Sequence, residues 1–113
     1  MIKVINLTPH DVVIVNENGE EIKRYPASGN VARVNTQSEL IGEVDGIQVV
    51  RTKYGDVDGL PDKKPDTVYL VSLVVAQALR GSRTDVYVPD TGPGSVVRDD
   101  KGQIIGVKRL MQL

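Results

Sequence analysis

Short runs of branched aliphatic residues, each ended within a few positions by Gly, Pro, Asn or Asp, set the rhythm of this chain, and only Ser72 to Arg80 departs from it. Residues 2 to 6 form an apolar segment that stops at Thr8-Pro9, where proline removes a ladder donor and holds the preceding residue extended. Val12, Val13, Ile14 and Val15 then follow without a polar interruption, the pattern of a strand covered on both faces. Glu17-Asn18-Gly19 supplies turn chemistry, and the alternating Glu21 to Tyr25 closes a first hairpin. Pro26 to Asn30 reads as a loop and Val31 to Thr36 as a strand. Leu40 to Val44 and Ile47 to Thr52 flank Asp45-Gly46, whose residues tolerate the positive φ of a tight turn, so a second hairpin is expected.

Lys53 to Asp66 carries Gly55, Gly59, Pro61 and Pro65 among lysines and aspartates and reads as the longest loop, either part of a site or a connector. Thr67 to Val71 resumes a strand pattern. Ser72 is placed to cap a helix that runs to Arg80, with Gly81 just beyond its end. So short a helix is unstable alone, and its apolar character on nearly every side predicts burial in the main core. Thr84 to Val88 is a further strand, Asp90 to Ser95 a rigid loop, and Asp99 to Gly102 the turn of a third hairpin between Val96 to Arg98 and Gln103 to Leu110. The pattern predicts a mainly β fold: a compact β-barrel or β-sandwich with mixed or antiparallel pairing and one short core-packed helix near residues 72–80. No linker divides the chain, so residues 1–113 are expected to form a single domain.

Composition sharpens this picture. With 19 valines and 8 isoleucines against no Phe or Trp, the core must be aliphatic, with the tyrosines as its only aromatic bodies. A net charge of -1, from 14 basic and 15 acidic residues, provides no field to hold nucleic acid or an anionic membrane surface. The absence of cysteine rules out disulfides and thiolate chemistry. No apolar run approaches the roughly 20 residues of a membrane span and the N-terminus lacks a leader pattern, so a cytoplasmic location is expected.

The polar residues complete no catalytic or metal-binding pattern. Asp90-Thr91-Gly92 matches the active-site triplet of aspartic proteases, which would make a dimeric, aspartic-protease-like hydrolase acting through Asp90 the main enzymatic alternative. Against it, Pro93 replaces a small residue, and Ile104-Ile105-Gly106 follows the triplet too closely for that family's order. The plainer expectation is a turn in which Asp90 accepts local backbone hydrogen bonds. His10 is the sole histidine, and alternation along an extended segment turns it away from Asp11. No serine has a nucleophile-elbow context, and the spacing of Asp56, Asp58, Asp62 and Asp66 is not that of a calcium loop. No cofactor or metal is indicated.

Ile5-Asn6-Leu7-Thr8-Pro9-His10, Pro26-Ala27-Ser28-Gly29 ahead of Val31-Ala32-Arg33-Val34, Val86 to Thr91, Val97-Arg98-Asp99 and Gly102 to Gly106 together resemble a family of small uncharacterised bacterial and bacteriophage proteins. The resemblance covers nearly the whole chain. It implies a short, self-standing cytoplasmic protein of bacterial or phage origin, host-directed if from a phage, and carries no catalytic residues across. The expectation is therefore a non-catalytic binding module for a small ligand or a partner protein. Its site would be Thr8, His10, Ser28, Arg33, Asp90, Thr91 and Arg98, on loops that converge. A structural or assembly role, with homo-oligomerisation, is the remaining alternative.

Overall fold

The computed structural model describes residues 1–113. In chain order the elements are β1 (Lys3–Asn6), β2 (Val12–Val15), β3 (Glu21–Tyr25), β4 (Arg33–Val44), β5 (Ile47–Asp58), β6 (Thr67–Leu70), α1 (Leu73–Leu79), β7 (Val86–Pro89), β8 (Val96–Arg98), β9 (Ile104–Val107) and β10 (Leu110–Met111). The fold is mainly β with one short helix.

Two four-stranded sheets make the body. The first has the order β1-β6-β7-β10, with β1, β6 and β7 parallel and β10 antiparallel at the edge. Parallel neighbours cannot be joined by a tight turn, so α1 serves as the crossover between β6 and β7. The second sheet, β3-β2-β9-β8, joins two antiparallel hairpins through a parallel pairing of β2 and β9 at Ile14 and Val107. The expected first and third hairpins are these two.

The sheets do not close, which corrects the barrel alternative. A barrel needs every strand flanked on both sides. Here the two longest strands, β4 and β5 at 12 residues each, pair only with one another. They form an arm on the order of 40 Å long at the usual rise per residue. The radius of gyration of 16.4 Å reflects it, since a compact chain of this length has about 13 Å. The arm also corrects the loop expected from Lys53: residues 53 to 58 are strand, paired with Arg33 to Gln37, and the loop is confined to residues beyond Asp58. At Gly59, where φ is +81°, a Cβ would lie 2.7 Å from the Val31 carbonyl oxygen, so glycine lets the chain close the arm's base.

Leu7, Ala32, Tyr69, Val71, Val75, Ala76, Val86 and Val88 form the buried core, with Ile5, Val34, Val57, Leu60, Leu79 and Met111 packed against it. The helix matches its expected span to within a residue at each end, but it is not buried on every side. Val75 and Ala76 face the core, whereas Leu73 and Val74 are exposed. Ser72 has the extended backbone of an N-cap, yet its hydroxyl makes no capping bond. At the other end Arg80, at φ 52°, takes the left-handed position and donates its N–H to the Ala76 and Gln77 carbonyls, with Gly81 continuing at positive φ. A partly buried ion pair fastens the 59–66 loop: Arg83 donates through Nε and Nη2 to both carboxylate oxygens of Asp85, at 2.9 and 2.8 Å, and from Nη2 to the Pro61 carbonyl at 3.0 Å. No helix is long and apolar enough to cross a membrane.

Candidate functional site

The segment Leu7 to Asp11 is held in place by Asn6, the last residue of β1 and almost fully buried. Its Nδ2 donates to the carbonyls of His10 (2.8 Å) and Tyr25 (2.9 Å), while its Oδ1 accepts the Thr8 N–H at 2.9 Å. Thr8 Oγ1 lies 2.7 Å from Asn6 Oδ1 and 2.8 Å from the His10 carbonyl, so its proton also serves this knot. The Asn6 carbonyl accepts the Ser28 N–H, and the Leu7 carbonyl accepts the Ala32 N–H. The turn after β1 and the loop after β3 are thereby tied together.

Asp11 completes the tie by accepting the Ala27 N–H at 2.9 Å and pairing with Arg24 at 3.2 Å. The Ala27 N–H first, and Arg24 second, hold the Asp11 carboxyl below the ordinary aspartate range. Glu21 is likewise lowered by its hydrogen bond from Arg24, whose guanidinium is raised in turn, chiefly by Glu21 and then by Asp11.

Beside this knot a cleft of about 550 Å³ opens between the two sheets. That volume lies within the range of small-molecule sites. One wall is Val12 and Val13 of β2 with Ile104 to Val107 of β9, and the opposite side is Val71, Ser72 and Pro89. Thr8 to Asp11 and Thr91 form its margin. The lining is aliphatic, with Ile104 and Ile105 about half exposed. Polar capacity is concentrated in three groups that make no hydrogen bond within the chain: the imidazole of His10 and the hydroxyls of Ser72 and Thr91. β9 comes close to β2 because residue 106 is glycine, where a Cβ would lie 2.7 Å from Val15 Cγ1 and 3.1 Å from the Val13 carbonyl oxygen.

Of the residues expected to form a site, the cleft brings together Thr8, His10 and Thr91. The other four do not line it. Asp90 turns away, accepting the Gly92 N–H at 3.0 Å and pairing with Arg109 at 3.0 Å, which is the local turn chemistry anticipated for it. Arg98 donates to the Gly102 carbonyl within its own hairpin. Ser28 exchanges hydrogen bonds with Asn30, and Arg33 begins β4 opposite Asp58. No three acidic or histidine side chains are placed to share a metal ion.

Sequence reasoning missed Asn6 and Ser95. Both are buried polar residues, and Ser95 Oγ accepts the N–H groups of Lys108 and Arg109, at 3.2 Å each, fixing the loop that carries Thr91. The signal for Asn6 was present, since an amide at the end of an apolar strand must find partners when it is buried. The missed apolar wall, Ile104 and Ile105, sits on a strand whose place in the sheet depends on a distant parallel pairing. Compared with protein-family models, curated proteins and solved structures, the chain matches none.

Proposed function

We propose that this chain is a non-catalytic binding module whose cleft takes a small, largely aliphatic ligand bearing one hydrogen-bonding group. The observation that carries the reading is the cleft itself: apolar walls from two different sheets, with the free polar groups of His10, Ser72 and Thr91 gathered at it. Burial of aliphatic surface would supply affinity, and the imidazole and hydroxyls would orient the ligand's polar end. The commitment of Asp90 to Arg109 and the Gly92 N–H supports binding over hydrolysis, because that carboxylate is already hydrogen-bonded within its own loop and turned from the cleft.

The test is a series of medium-chain aliphatic carboxylates, alcohols and amines, screened by thermal unfolding followed by circular dichroism. At ten times its Kd a ligand stabilises by about 1.4 kcal/mol, which for a chain of this length raises Tm by about 6 °C. Ile105→Asp, at an exposed position on the cleft wall, should abolish the shift, while Ile22→Asp, exposed on β3, should retain it. Absence of any shift across the series, or its survival in Ile105→Asp, would reject the reading.

A further inference from the structure

The outer half of the β4–β5 arm has nothing of its own chain against it. Leu40, Ile41, Val44, Ile47 and Val50 are each between 49% and 68% exposed. At roughly 100 Å² apiece they leave about 500 Å² of exposed apolar surface, divided between the two faces of the ribbon. The last tie to the body is near the base, where Val34 and Val57 join the core and the Tyr54 hydroxyl donates to Gln77 at 3.4 Å. A two-stranded ribbon projecting into water is marginal by itself, and both of its outer edges carry unpaired backbone groups.

The two edges are not equivalent. β4 is interrupted at its apolar end, where the register shifts between Leu40 and Gly42 and leaves Ile41 as an extra residue. Bulges of this kind blunt an edge against pairing. β5 runs from Ile47 to Tyr54 with no shift, so it offers a regular edge.

We propose that this edge pairs with the same edge of a second copy of the chain, antiparallel about a two-fold axis at Val50, joining two arms into a four-stranded sheet. Side-chain alternation requires the axis to pass beside a residue. At Val50 the regular stretch is used almost fully; at Arg51 two like charges would be brought face to face, which destabilises a sheet. With the axis at Val50 the cross-strand row reads Leu40, Val50, Val50, Leu40, because Leu40 already lies opposite Val50 within each arm.

On the other face, Ile47 falls opposite Lys53 of the second copy, so the alkyl stem of the lysine covers the isoleucine. The acidic tip, with Glu43 and Asp45, then lies toward the basic stretch of Arg51 and Lys53. None of these four charges has an ion-pair partner in its own chain. An outer half that is acidic at its tip and basic at its inner end, with apolar residues between, complements itself when reversed.

Light scattering of the whole chain should give twice its 12.3 kDa mass at micromolar concentration. Val50→Lys sets two ammonium groups opposite each other and should raise the dimer dissociation constant roughly 30-fold or more, with an unchanged circular dichroism spectrum. The chain has no cysteine, so Val50→Cys introduces a single thiol. Directly opposed residues lie within disulfide reach, and mild oxidation should give a covalent dimer much faster than it does for Ile22→Cys on exposed β3. A monomeric wild type, a dimer indifferent to Val50→Lys, or equal cross-linking rates at residues 50 and 22 would overturn the proposal. Ligand binding in the cleft is measured separately, so neither result decides the other.

Discussion

Removing the Asn6 side chain should cost more than its small size suggests. In Asn6→Ala the Tyr25 carbonyl loses its Nδ2 donor and the Thr8 N–H loses its acceptor, both at a nearly fully buried position. Each orphaned group costs about 1–1.5 kcal/mol, and the small void adds about 1 kcal/mol, for a destabilisation of about 3–4 kcal/mol. The His10 carbonyl is partly protected because Thr8 Oγ1 remains 2.8 Å away. With a urea m-value of about 1.5 kcal/mol per molar, the unfolding midpoint should fall by about 2 M.

Asn6→Asp provides the sharper comparison. It keeps the acceptor but directs a carboxylate oxygen at two carbonyls, which together with burial raises the new carboxyl's pKa. An acid whose folded pKa is raised destabilises above its unfolded pKa. Asn6→Asp should therefore be badly destabilised at pH 7 and recover as the pH falls and the group becomes a donor again. A midpoint shift in Asn6→Ala below about 0.5 M, or an Asn6→Asp variant as stable as wild type at pH 7, would refute the role given to this amide.

Further expectations follow from the ion pair, the tight glycine and the helix. Arg83, through its hydrogen bonds, holds the Asp85 carboxyl below the ordinary aspartate value, against the opposing effect of burial. The pair's stabilisation is thus complete above about pH 4 and is lost as pH falls through the lowered value. Acid melts should show Asp85→Asn losing part of that pH dependence, and Asp85→Ala should cost about 2–3 kcal/mol at pH 7. Gly59→Ala combines a positive φ with a backbone clash at 2.7 Å and should cost about 2–3 kcal/mol in urea unfolding. Gly46→Ala, at positive φ with nothing within 4 Å, should cost about 1 kcal/mol. Val75→Ala empties a core position and should cost about 2 kcal/mol, against less than about 0.5 kcal/mol for exposed Leu73→Ala; equal effects would misplace the helix face.

Local chemistry was legible in the sequence. The two body hairpins, the Asp45-Gly46 turn and α1 each follow from residues only a few positions apart. The arm was not, because the polar Gln37, Ser38 and Glu39 look like an interruption only if a strand must be half buried. In an exposed ribbon they continue it, and Lys53 to Asp58 are their partners. The parallel pairings of β1 with β6 and β2 with β9 left no signature near either strand. At the site, Thr8 and His10 were found through the turn that holds them and Thr91 through its loop. Asp90, Arg98 and Ser28 have the same outward character but satisfy themselves with Gly92, Gly102 and Asn30, two to four residues away.

The place of β9 and β10 after all the other strands has a consequence for biosynthesis. β9 joins the second sheet to its N-terminal hairpin and walls the cleft, while β10 finishes the first sheet. A nascent polypeptide emerging from the ribosome can form its β2–β3 hairpin and arm early, but its two layers cannot lock until β9 has cleared the exit tunnel. Such long-range closure slows folding, and premature termination anywhere before β9 would release a chain with an uncovered β2 edge, a ready target for proteolysis and for misassociation.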